Sequence, residues 1–150
     1  MKSCKIITGE KGSGKTTYVL SLFSHNPTYI GYVTLHKADE YFLLNLSTKE
    51  EKLLLSPRPV FSSKWKNWYV NEALFDEVYT SLLDSKGKSI ILDECGRMEM
   101  DGRGFSRTIK MLLSKKDVNL TLVVRDSFVN DLTRYFSIVD YSLITVPKWT

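Results

Sequence analysis

Gly9, Gly14, Lys15 and Thr16 stand in the spacing G-x-x-x-x-G-K-[ST], within the stretch "GEKGSGKTT" over residues 9–17. That set of residue types is suited to holding phosphate groups. Glycines let the backbone wrap close to phosphate oxygens and take up positive φ. Successive N–H groups then point inward as an anion nest, and a helix opening at Lys15 adds its positive end. Lys15 is the residue to reach β- and γ-phosphates, and the Thr16 hydroxyl is a ligand for Mg²⁺. Glu10, Lys11, Gly12, Ser13 and Thr17 complete the binding stretch. The side chains of Glu10, Lys11 and Ser13 have no assigned role.

A second constellation lies in "SIILDECGRMEM", residues 89–100. An apolar strand carries Asp93 to its carboxyl end, where ligands bind in open α/β sheets. Asp93 is suited to hold Mg²⁺ through water, and Glu94 to orient and deprotonate an attacking water. The plainer reading, a solvated acidic turn, loses ground beside a phosphate loop. Arg97 follows, either to offset charge on a transferring phosphoryl group or to pair with Glu99 or Asp101. Arg125 ends a later apolar run, as a sensor of the γ-phosphate or as an exposed or ion-paired strand-end residue.

The elements that must position these groups are read from periodicity. "CKIIT" is a buried strand. Val19, Leu22 and Phe23, with Leu20, give a helix from Lys15 that stops before Asn26-Pro27. "TYIGYVTL" is a strand. Residues 40–56 read as a hairpin turning near Thr48 to Glu51 or, from the Ser47/Glu50 capping-box spacing, as a short helix. "PVFSS" is a short strand. Asn71 caps a helix bearing Leu74, Phe75, Val78, Tyr79, Leu82 and Leu83 and ending near Gly87. "SIILDE", "VNLTLVV" and "IVDYSLITV" are strands. Phe105, Ile109, Leu112 and Leu113 mark a helix, and Ser127 caps another bearing Phe128, Leu132, Tyr135 and Phe136. This alternation predicts an α/β fold with a mainly parallel sheet between helices, as one domain over residues 1–150. An acidic pair after such a strand predicts that another strand separates it from the phosphate-loop strand.

"GEKGSGKTT" together with "DECGRMEM" resembles the THEP1-type nucleoside-triphosphatases, whose second motif reads D-E-[IV]-G-[KR]-M-E-L. Asp93, Glu94, Gly96, Arg97, Met98 and Glu99 match it, and Cys95 and Met100 are apolar replacements. "YVNEALFDEVY" and "FSRTIKMLLSKKDVNLTLVV" also follow the family. The resemblance implies a three-layer P-loop NTPase fold and Mg²⁺-dependent hydrolysis of ATP, GTP and other nucleoside triphosphates, with loose base selectivity. It implies nucleotide-binding roles over Gly9 to Thr16 and over Leu92, Asp93, Glu94, Cys95, Gly96, Arg97, Met98 and Glu99. It also favours the antiparallel hairpin for residues 40–56. Val124-Arg125-Asp126 departs from the family's small hydroxyl residue and proline-containing turn.

Composition bounds the remaining classes. The 150 residues are 43% hydrophobic and 25% charged, with net charge +4. That balance suits a phosphate-bearing ligand and is too weak to imply nucleic acid. No run approaches the ~20 apolar residues of a membrane span, and "MKSCKIITGE" lacks a signal-peptide core. Cys4 and Cys95 sit in apolar patterns, which fits a reducing cytoplasm. A monomer is favoured. His25 and His36 lack metal-ligand spacing. Trp65, Trp68 and Tyr69 are a base platform or, more commonly, hairpin packing. Arg103 and Arg107 near a helix start hint at a nearby anion or are solvated. The rival activities are a small-molecule kinase, with residues 101–107 as a small lid, and a nucleotide-dependent switch or accessory protein.

Overall fold

The first apolar run becomes β1 (Ser3–Gly9), and the glycine-rich turn after it opens α1 (Lys15–His25). Residues 3–147 are described by the structure, a computed structural model. The chain continues through β2 (Tyr29–Lys37), β3 (Glu40–Asn45), β4 (Glu51–Ser56), β5 (Ser63–Trp65), β6 (Trp68–Val70) and α2 (Glu72–Ser81). Then come β7 (Ser89–Cys95), α3 (Arg97–Met100), α4 (Ser106–Leu113), β8 (Asn119–Arg125), a 3-10 turn (Asp126–Phe128), α5 (Val129–Tyr135) and β9 (Ser142–Thr145).

The strands form one sheet in the order β5-β6-β4-β3-β2-β7-β8-β1-β9. β2, β7, β8, β1 and β9 run parallel. β8 lies between β1 and β7, as the acidic pair predicts. The other four strands are antiparallel, so the expected hairpin extends into a larger antiparallel wing.

The period-2 alternation of the central strands sorts their side chains to two faces. Ile7, Ile91 and Val123 pack with Val19 of α1 on one face. Ile6, Leu92 and Leu122 pack with residues of α2, α4 and α5 on the other. The sheet is thus the middle of three layers.

Local chemistry explains the ambiguous stretches. Between β3 and β4 the Asn45 side chain accepts the N–H groups of Ser47 (2.9 Å) and Thr48 (3.2 Å). This Asx turn wins over the Ser47/Glu50 capping box, and no helix forms there. Asn71 caps α2 as expected, accepting the Leu74 N–H at 3.2 Å, a bond of about 1 kcal/mol. On the same stripe Leu83 is 44% exposed, because α2 ends at Ser81.

Four boundaries differ from the sequence reading, the first being the end of α2, which stops at Ser81 and not near Gly87. The strand expected at "PVFSS" begins only at Ser63. The last strand covers Ser142–Thr145, less than its apolar run. Ser127 makes no cap, because residues 126–128 coil into the 3-10 turn and α5 starts after Phe128 without a side-chain cap. α3 is a single turn too short to announce itself by periodicity. Cys4 and Cys95 are free and buried, and burial raises both thiols, Cys4 to about 11, which makes them inert.

Candidate active site

The turn from β1 into α1 is shaped by two demands on glycine. Gly14 sits in the left-handed region at φ 90° as the N-cap of α1. At Gly9 the demand is space, since a Cβ there would lie 2.5 Å from Ser13 Oγ and 2.7 Å from the Val146 carbonyl. The loop closes on itself through Ser13 N–H to the Glu10 carbonyl (3.0 Å). Lys15 is only 6% exposed and its ammonium donates to the carbonyls of Gly9 (3.2 Å) and Glu10 (2.9 Å). Ser13 is buried with its hydroxyl unpartnered. Glu10, Lys11, Gly12, Gly14 and Thr17 are exposed.

The two motifs meet at one bond. Thr16 Oγ1 donates to Asp93 Oδ2 at 3.0 Å. Asp93 is fully buried, and its Oδ1 has no partner. Burial, and then the charge of Glu94, raises the Asp93 carboxyl to about 7, although the Thr16 bond and Lys15 pull it down.

Glu94 is exposed between buried Asp93 and Cys95. The cause is a register shift against β8, where Asp93 pairs with Val123 and Cys95 with Val124. A bulge of this kind adds one residue and re-aims a side chain. Thr34 on β2, a residue that carries no motif, holds this point. Its hydroxyl donates to the Asp93 carbonyl (2.6 Å) and accepts the Glu94 N–H (3.2 Å). The only hint in the sequence was a hydroxyl inside an apolar strand.

Leu92, Cys95 and Met98 are buried and pack into the core, so they support the motif from behind. Glu99 turns back on Gly96, accepting its N–H (2.7 Å) and that of Phe105 (3.0 Å). Its carboxyl is raised to about 7 because burial outweighs those two bonds. Arg97 therefore has no salt bridge with Glu99. Nor does Arg97 pair with Asp101 among the described residues; Asp101 accepts the Trp65 indole N–H at 2.9 Å. The Arg97 guanidinium instead lies 5.6 Å from the Phe128 ring centroid. Arg125 lies 5.5 Å from the same ring.

Glu94 and Arg97 open into a cleft of about 410 Å³. A separate hollow of about 410 Å³ lies beside the phosphate loop, between Thr17, Tyr18, Ser21 and Thr145 to Pro147. A larger depression of about 610 Å³ between α2 and the β3–β4 hairpin contains none of the motif residues. The structure also settles several side chains singled out above. Trp68 packs edge-on against Tyr41 (5.2 Å), as hairpin packing. His36 stacks on Tyr41 (4.4 Å). Arg103 is ion-paired with Glu72 (2.7 Å), and Arg107 lies 3.7 Å from the Tyr79 ring centroid. Arg103 is thus engaged within the fold, while Arg107 rests on an aromatic ring and stays exposed, as the solvated alternative has it.

Among the described residues no group of three or more His, Cys, Asp or Glu is arranged to hold a metal ion. A cation at Thr16 and Asp93 would complete its shell with phosphate and water oxygens, the usual habit of Mg²⁺. The hydroxyl and carboxylate oxygens, with the orphaned Asp93 Oδ1, fit that ion. No helix among the described residues is long and apolar enough to cross a membrane.

Comparison with known proteins bears on this arrangement. A family model described as NTPase matches residues 4–148. Nucleoside-triphosphatase THEP1 of Aquifex aeolicus (strain VF5) is 29% identical over 138 residues, covering 81% of this chain and 78% of that protein. The crystal structure of THEP1 from the hyperthermophile Aquifex aeolicus matches with TM-score 0.73 at 22% identity, over 96% of this chain and 90% of that one. The solution structure of a human cancer-related nucleoside triphosphatase matches with TM-score 0.72 at 16% identity, over 95% and 88%. Those two likenesses show a shared three-layer fold.

Proposed function

This chain belongs to the NTPase family and is a nucleoside-triphosphatase, and from that premise we propose that it hydrolyses ATP, GTP and related triphosphates to diphosphate and phosphate with Mg²⁺. The observation that carries this reading is the meeting of Thr16, Asp93 and Glu94 at one end of the sheet.

In this reading the backbone of Gly9 to Thr16 cradles the phosphates, and Lys15 sets its charge against the β- and γ-phosphates. Thr16 and Asp93 would hold Mg²⁺, which neutralises charge on the phosphate oxygens when bound. Glu94, turned out by the bulge and steadied by Thr34, accepts the proton of the attacking water. Arg97 has no acidic partner among the described residues and offsets charge developing on the transferring group. Cys95, Gly96, Met98 and Glu99 shape this wall, with Leu92 behind it.

The hollow beside Thr17 takes the ribose and base. Its polar groups include the hydroxyls of Thr17, Tyr18, Ser21 and Thr145. A hydroxyl both donates and accepts, so it discriminates poorly among base edges. That supports loose base selectivity. We place the protein in the cytoplasm as a monomeric single domain, without nucleic acid as partner.

Phosphate release from purified protein, measured over a triphosphate panel with and without chelator, tests the reading. ATP and GTP should both turn over and both stop on chelation. Release unaffected by chelation would overturn the role of Thr16 and Asp93. Release appearing only with an added alcohol would favour the kinase.

A further inference from the structure

Hydrolysis at Glu94 needs room for one water, about 30 Å³ of liquid volume. The cleft there measures about 410 Å³, within the range typical of small-molecule sites. No residue of the phosphate loop lines it. The cleft is therefore far larger than the water requires and is not the phosphate cradle itself.

Its walls are aromatic and held in place. Tyr41, Trp65, Trp68 and Phe128 line it. The β5–β6 hairpin carrying both tryptophans is tied to the segment after α3. Trp65 donates to Asp101 (2.9 Å), and Arg103 donates to the Lys64 carbonyl (2.9 Å), Ser63 Oγ (2.8 Å) and Glu72 (2.7 Å). Aromatic faces fixed in advance favour a planar ligand, because little entropy is lost on stacking.

Its charge is unbalanced. Arg97, Arg125 and Lys66 line it against Glu94, while the Glu99 carboxyl is taken up by the N–H groups of Gly96 and Phe105. Arg97 belongs to the phosphate chemistry argued above. The Arg125 side chain is left over: it lies beside the Phe128 ring, without a hydrogen-bond or ion-pair partner among the described residues. Its Nε is buried and unpartnered. A buried donor with no acceptor costs about 1–3 kcal/mol and calls for an explanation.

We propose that this cleft is a second-ligand site for a planar aromatic molecule bearing an anionic group, stacked against the hairpin aromatics with its anion on Arg125. Bound there it covers Glu94 and slows hydrolysis. Only that effect on turnover rests on the hydrolase reading; binding does not.

Three probes separate the contributions: 2-naphthoate, 2-naphthalenemethanol (planar, neutral) and decalin-2-carboxylate (charged, not flat). Saturation-transfer NMR on the full chain should show 2-naphthoate binding about ten-fold more tightly than either of the others. Trp68→Ala and Arg125→Gln should each weaken it by about ten-fold, and Trp68→Phe, which keeps a ring and checks that the hairpin folds, should restore it. 2-Naphthoate should slow phosphate release by the wild type and not by Trp68→Ala. Equal binding of the three probes, or undiminished binding by Trp68→Ala and Arg125→Gln, overturns the proposal. Binding that leaves phosphate release unchanged overturns the placement over Glu94. A wild type that releases no phosphate sinks the hydrolase reading alone, since the NMR measurement still decides this one.

Discussion

The Thr16 hydroxyl donates to Asp93 across 3.0 Å in space and 77 positions in sequence. This bond joins the head of α1 to the end of β7, and it brings together the two groups proposed to hold the metal. Thr16→Ala and Asp93→Asn should each lower kcat by about 10²-fold or more, as loss of a charge-stabilising contact does. Each should also raise the Mg²⁺ concentration needed for half-maximal rate. A magnesium titration of both variants checks this, and an unchanged midpoint would remove the metal role.

Glu94→Gln keeps the size of the side chain and removes its basicity. Turnover should fall by about 10²–10⁴-fold, the usual worth of a general base, while nucleotide affinity stays near that of the wild type. Single-turnover phosphate release beside a nucleotide-binding titration separates the two quantities. Hydrolysis by this variant at the native rate would exclude the role.

Arg97→Gln should reduce kcat by about 10²–10³-fold with little change in KM, the pattern of a contact made in the transition state. A salt-bridge role would instead appear as lost stability. Arg97 makes no such bridge among the described residues, so the melting temperature should stay within a few degrees.

Gly9→Ala tests the loop's geometry. The added Cβ would press on Ser13 Oγ and the Val146 carbonyl, at 2.5 and 2.7 Å. The strand end must shift to accept it, so nucleotide affinity should drop about ten-fold or more while the fold survives. Titration with a non-hydrolysable triphosphate analogue reads this directly.

Glu99 predicts a pH dependence of stability. Its folded carboxyl is raised from 4.5 to about 7, chiefly by burial. A raised carboxyl binds its proton more tightly in the folded state, so its contribution is complete below about 4.5 and is lost as pH rises through about 7. The stability difference between wild type and Glu99→Gln should therefore move against the wild type between pH 5 and pH 8, on the order of 2 kcal/mol. Urea unfolding of both proteins at the two pH values checks the sign. A pH-independent difference would contradict it.

Much of this molecule was legible from local pattern. The stop of α1 before Asn26-Pro27, the Asn71 cap and the strand carrying Asp93 near its carboxyl end follow from side-chain chemistry within a few residues. Where a hairpin turn competed with the Ser47/Glu50 capping box, the Asn45 hydrogen bonds that decide for the turn depend on the flanking strands being in register. Short elements such as α3 and the 3-10 turn at Asp126–Phe128 span too few residues for periodicity to speak.

The sequence by itself determined the phosphate loop, the acidic strand end and the alternation of strand and helix, because each is written in the spacing of neighbouring residues. Only the tertiary structure decided which strand stands between β1 and β7, that Thr34 holds the Asp93–Glu94 junction and that Arg97 leaves Glu99 for Phe128. It also decided that the hairpin tryptophans line the cleft beside Glu94. These relations depend on strand order and register, which are set by long-range pairing and packing. No local spacing encodes which distant residue arrives at a given atom.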